Sequence, residues 1–168
     1  QLLGILGDAT GIQTLIEKVR SFDKWDTGWN FKGMGQFGNS MSRLDSFIYA
    51  LGLSRDRRAL PPILEKMKTL EAKHAFSHHR AVARALESIG DPQGAKAIAE
   101  VLMKPRMISE NSNSLDRGIA LREITLARAL YRCGDHEGLG REILEKFTRD
   151  MRGHFARHAW AILNANSN

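Results

Sequence analysis

One phrase recurs along this chain: an apolar helix end, a small turn holding Asp, and a second amphipathic helix. It reads LLGILGDATGIQTLIEKV, ALGLSRDRRALPPILEKM, ALESIGDPQGAKAIAEVL and ALYRCGDHEGLGREILEKF. The turn aspartates Asp8, Asp56, Asp91 and Asp135 stand 48, 35 and 44 residues apart. Periods in this range belong to stacked helical pairs, each burying its apolar face only against its neighbours. The expectation is an all-α chain, a right-handed α-solenoid of about four helical pairs (an α-α superhelix), with 1–168 as a single repeat domain.

The second helix of each pair is predicted over about 10–20, 58–70, 92–103 and 137–150, where apolar residues recur at helical spacing. The stripes are Ile12, Leu15, Ile16, Val19; Leu60, Ile63, Leu64, Met67; Ala95, Ile98, Ala99, Leu102; and Leu139, Ile143, Leu144, Phe147. First helices are predicted over about 41–53, 77–89, 119–133 and 153–164, with inner faces that include Val82, Leu86, Ile89, Ile124, Leu126, Leu130, Phe155, Trp160 and Leu163. Alanines crowd these first helices, which suits close ridge-in-groove packing. Asp91 and Asp135 each follow a Gly able to end a helix in the left-handed conformation, and the aspartate can then cap the next helix.

Two segments interrupt the pattern. Residues 103–118, MKPRMISENSNSLDRG, are polar and read as a plain loop. Residues 21–40, SFDKWDTGWNFKGMGQFGNS, combine four glycines with five aromatic residues. Rings at that density imply partial burial, because exposing them together would leave a sticky patch. Two readings stand side by side: a loop folded over its own repeat, and a docking surface for another domain. On the second reading the candidate interaction surface is Trp25, Trp29, Phe31 and Phe37, with Arg43, His78 and His79 nearby.

No apolar run approaches the roughly 20 residues of a membrane helix, so no membrane partner is expected. The chain starts Gln1-Leu2-Leu3-Gly4, and Leu2 to Leu6 read as the tail of a helix, so a fragment of a longer protein is expected. The compartment cannot be read from such a start. With Cys133 alone there is no intrachain disulfide, and the core must hold the fold. The net charge of +6 permits an anionic partner, although bases and acids interleave as on solvated helix faces.

Candidate chemistry is sparse. Gly33-Met34-Gly35-Gln36-Phe37-Gly38 matches G-x-G-x-x-G, but no strand precedes it and no helix opens directly after it, so a nucleotide role is not expected. His154 and His158 share a helix face at i, i+4, without the Glu of a zinc-protease motif or an evident third ligand. His78 and His79 point about 100° apart on a helix, so one is expected to pair locally and the other to face solvent. Cys133 reads as a small buried residue with no activating base. Arg43 with Asp45, and Arg128 with Glu123, are expected ion pairs. Aligning the repeats on their Ala-Leu or Ala-Trp pair brings Arg84, Arg128 and His158 to equivalent positions, a ladder that either supports the structure or lines a groove.

ALESIGDPQGAKAIAEVL and ALYRCGDHEGLGREILEKF resemble the HEAT-like repeats of phycobilisome-lyase-type α-solenoids. GWNFKGMGQFG, LGLSRDRRALPPILEKM, FSHHRAVARALESIGDP, LARALYRCGDHEGLG and MRGHFARHA, in that order, resemble the C-terminal region of a family of bacterial FAD-dependent oxidoreductases. That resemblance implies a non-catalytic accessory or scaffold domain. FAD would be bound upstream in the parent protein, and the partner would be that flavin domain or another protein. No cofactor, metal or catalytic residue is carried onto this chain. The alternative is a basic HEAT-like domain that binds nucleic acid, which the net charge permits. A bilin lyase rests on repeat likeness alone.

Overall fold

The computed structural model describes residues 9–26, 41–109 and 116–165. Among these residues every regular element is helical. The α-helices are α1 (Ala9–Arg20), α2 (Arg43–Leu53), α3 (Leu60–Met67), α4 (Phe76–Ile89), α5 (Pro92–Leu102), α6 (Arg117–Arg132), α7 (Leu139–Thr148) and α8 (Gly153–Asn164). Short 3-10 turns, Arg57–Ala59 and His136–Gly138, lead into α3 and α7. The spans follow the periodicity closely, except that α3 and α7 start later because these turns take up their first residues.

The polar caps explain where the helices start. Asp56 and Asp91 accept the backbone N–H of Arg58 and Gln93 at 2.8 and 3.0 Å. Gly90 ends α4 in the left-handed conformation, with φ 69°. The turn at Asp135 keeps the expected cap but reverses the chain differently. Asp135 and Glu137 themselves take positive φ, 51° and 57°, and the Asp135 carboxylate reaches forward to the Gly140 N–H at 2.7 Å. Asp8 lies outside the described residues.

Packing follows the alternation of first and second helices. α2 packs along α4, α4 along α6, and α6 touches α8; on the other side α1 meets α3 and α3 meets α5. The expected stripes form the interior: Ile12, Ile16, Val19, Ile63, Met67, Ile98, Leu102, Leu144 and Phe147 are all buried. One crossing is especially close, since a Cβ on Gly52 of α2 would lie 2.2 Å from the Ala85 Cα of α4. Trp160 departs from its expected inner position and is 64% exposed, while Ala159 and Ile162 fill the core side of α8. The reason is that α8 is packed only on the side of α6 and α7 among the described residues.

Three lysines perform the same task at successive second helices. Lys66 donates to the Phe22 carbonyl just past α1. Lys104 donates to the Lys68 and Leu70 carbonyls just past α3, at 2.7 and 2.8 Å. Lys146 donates to the Ser109 carbonyl beyond α5 at 3.0 Å. Lys66 and Lys104 meet carbonyls just past a helix C-terminus, where free acceptors and the negative end of the dipole coincide, whereas Lys146 meets one seven residues beyond α5.

Residues 103–109, the described start of the segment after α5, are tied to the core. Met107 is fully buried, and the Arg122 guanidinium holds the carbonyls of Ala72 and Arg106 at 2.8 and 2.6 Å. Glu123, also fully buried, accepts from Lys146 at 2.7 Å and from the Ser109 N–H at 3.1 Å.

Candidate functional site

The aromatic insertion begins by folding onto its own repeat. Phe22 packs on Phe47 with ring centroids 6.2 Å apart. Half-buried Trp25 lies against His78 at 4.8 Å, and its indole N–H donates to the Thr69 hydroxyl at 3.1 Å. Asp26 caps α2 through the Arg43 N–H at 3.0 Å. Trp29, Phe31 and Phe37, and the glycines of the G-x-G-x-x-G match, lie outside the described residues.

Behind Trp25 the histidines are interior. His78 and His79 are 4% and 0% exposed, so neither faces solvent as one of them was expected to. The helix geometry was right, but α4 is sandwiched between α2 and α6, so two directions about 100° apart both point inward. His78 Nδ1 meets the Asp45 carboxylate at 2.6 Å. The same carboxylate completes a capping box with Ser42. Burial alone would raise the Asp45 pKa, but the bonds from His78, Ser42 and Ser77 hold it below the usual carboxylate range. The expected Arg43–Asp45 pair is thereby replaced, and the Arg43 side chain is exposed.

His79 Nδ1 faces the Ala75 carbonyl at 3.0 Å and so must carry the ring proton there; its buried Nε2 has no partner. Burial pushes its pKa down to about 4, with Arg122 adding to the effect. The expected pair of Arg128 with Glu123 is also replaced, because Glu123 turns inward to Lys146.

Arg128 instead joins a cluster across consecutive first helices. Its guanidinium reaches Glu87 on α4 at 2.8 Å, Arg132 joins the same carboxylate, and Arg84 stands 3.9 Å from it. Beside them is a cavity of about 100 Å³ lined by Arg80, Arg84, Glu87, Thr125, Arg128 and His158, from α4, α6 and α8. The ladder of Arg84, Arg128 and His158 foreseen from the repeat alignment thus lines one hollow. Burial would raise the Glu87 pKa, but its arginine bonds win and hold it low. Burial, then Arg128, Arg84 and Arg132, push the His158 pKa down against the opposing pull of Glu87.

A second hollow, of about 480 Å³, lies between α3 and α5, lined by Leu64, Met67, Ala97 and Val101 together with Lys68, Lys96, Lys104, Gln93 and Glu100. Cys133 is buried, and its thiol pKa is pushed up to about 12 by burial and then by Glu87 and Asp91, which suits a packing role. No cluster of three His, Cys, Asp or Glu able to hold a metal occurs among the described residues, and none of their helices is long and apolar enough to cross a membrane. Comparison with protein families, with curated proteins and with solved structures finds no match.

Proposed function

We propose that this chain is a non-catalytic interaction module, an α-solenoid of HEAT-like helical pairs that recognises an anionic partner through its first-helix face. The alternation of helix contacts and the recurring lysine tethers support the solenoid reading, since a repeat architecture reuses one device at each step. The observation that carries the binding reading is the convergence of Arg84, Arg128 and Arg132 on the single carboxylate of Glu87. One cation neutralises a carboxylate; further arginines beside a cavity leave positive charge that a ligand can meet. In the flavoenzyme context that the sequence phrases imply, this module would be the accessory part and hold no flavin itself.

A charge-matched experiment tests the face. Arg80→Gln with Arg84→Gln removes two charges from the first-helix face; Lys68→Gln with Lys96→Gln removes two from the opposite hollow. On immobilised heparin, used as a generic polyanion, the arginine variant should elute at clearly lower salt than the lysine variant. Equal shifts would mean that only net charge matters, and the reading would be withdrawn.

A further inference from the structure

The cavity between α4, α6 and α8 has features that charge pairing within the fold does not explain. Three guanidiniums, those of Arg80, Arg84 and Arg128, line the cavity with a single carboxylate, Glu87, leaving a formal excess of two positive charges there. Glu87 is already shared by Arg84, Arg128 and, from outside the lining, Arg132. The Arg128 Nε–H is buried with no acceptor, although a buried donor left unpaired is costly. The Arg80 guanidinium lies 6.0 Å from the Phe76 ring and forms no ion pair among the described residues. Thr125 and His158 add neutral hydrogen-bonding groups to the lining.

We propose that this cavity binds a phosphate group. The proposal rests on the first-helix face being the binding surface and names the ligand chemistry of that face. The volume of about 100 Å³ admits a compact oxyanion with part of its hydration, but not a nucleobase or a ring-bearing side chain. A planar carboxylate is already present as Glu87, and it leaves donors unspent. A tetrahedral ion with several oxygens meets donors that arrive from α4 on one side and from α6 on the other. Its one to two negative charges suit the excess that Glu87 leaves. Arg84 is 47% exposed and Arg128 only 17%, so the outer arginine admits the ion and the inner one fixes it. Glu87 opposes the ligand electrostatically while orienting Arg128 and Arg132, so it sets the affinity downward.

The probe is inorganic phosphate, titrated into the whole chain against sodium chloride of equal ionic strength, with arginine Nε–H and His158 ring signals followed by NMR. Saturable shifts should be confined to Arg84, Arg128 and His158. Arg84→Gln should weaken binding roughly fivefold, as for one charged contact at a half-open site. Glu87→Gln should tighten binding roughly threefold, an effect opposite to simple structural damage. Lys68→Gln should change nothing. A second arm with a short oligothymidylate distinguishes the source of the phosphate. Competition for the same signals assigns a nucleic-acid backbone, whereas phosphate binding alone assigns a free or small-molecule phosphate. Shifts equal to those in chloride, or unchanged by Arg84→Gln, overturn the proposal. Because the heparin comparison reads the whole face, success there with failure here would reject the phosphate site and keep the face.

Discussion

Glu123 and Glu87 sit on neighbouring first helices and do opposite things. Glu123 on α6 is fully buried and matched by Lys146 and one backbone N–H. Glu87 on α4 lies near the surface, 13% exposed, and is shared by three arginines. In the first case charge and hydrogen bonds close on themselves, tying α6, α7 and the segment after α5 into one body. In the second the balance stays open beside a cavity. Matched charge gives cohesion, and unmatched charge is what the proposed recognition would draw on.

The strongest way to break this contrast is to strip the interior pair of its cation. Lys146→Met leaves Glu123 buried and uncompensated and should cost about 3–5 kcal/mol, read as a fall in the urea midpoint. A loss below about 1 kcal/mol would show that Glu123 is not held as tightly as its geometry implies.

His79 sharpens the contrast, because it is an interior group beside a cation with no carboxylate to offset it. Its folded pKa of about 4 lies below the ordinary 6.5. The unfolded chain therefore binds the proton more readily. The stability from neutral His79 is complete above pH 6.5 and is lost as pH falls toward 4, about 3 kcal/mol in all. Denaturation midpoints at pH 7.5 and 4.5 should draw closer together in His79→Gln than in the parent, even though His74 and His158 are shifted in the same direction. An unchanged pH slope would place the acid sensitivity elsewhere.

The open region should respond more weakly. Glu87→Gln should cost about 1 kcal/mol, since it loosens Arg128 and Arg132 at a site that water can reach. Arg84→Gln should move stability by less than about 0.5 kcal/mol, because its contact with Glu87 is long and half-exposed. Thermal denaturation of both variants beside Lys146→Met would rank them. If Arg84→Gln proved as damaging as Lys146→Met, the face would be structural after all.

The helices were legible because burial imposes a 3.6-residue period, and the turn aspartates because helix starts need side-chain acceptors. The ion pairs were not. Arg43 and Asp45 are two residues apart, and Glu123 and Arg128 five, so neither pair shares a helix face. The actual partners stand 33 residues away for His78–Asp45 and 41 for Arg128–Glu87, beyond any local pattern. Repeat alignment did bring Arg84, Arg128 and His158 together, since equivalent positions on stacked helices become neighbours. It missed Glu87, which has no acidic counterpart in the other aligned helices, and Arg132, one turn beyond the ladder. Trp25 was legible as partly buried; the burial of His78 and His79 was not, because exposure depends on which helices flank α4.

The lysine tethers bear on how such a chain can change over time. Lys66, Lys104 and Lys146 grip main-chain oxygens, which every residue possesses. The identities of residues 22, 68, 70 and 109 are therefore unconstrained by the grip itself, and one-sided drift in these turns leaves the join intact. A side-chain pair at the same joint would require two coordinated substitutions. Units joined in this way can diverge in sequence, and gain segments between them, while still fitting end to end.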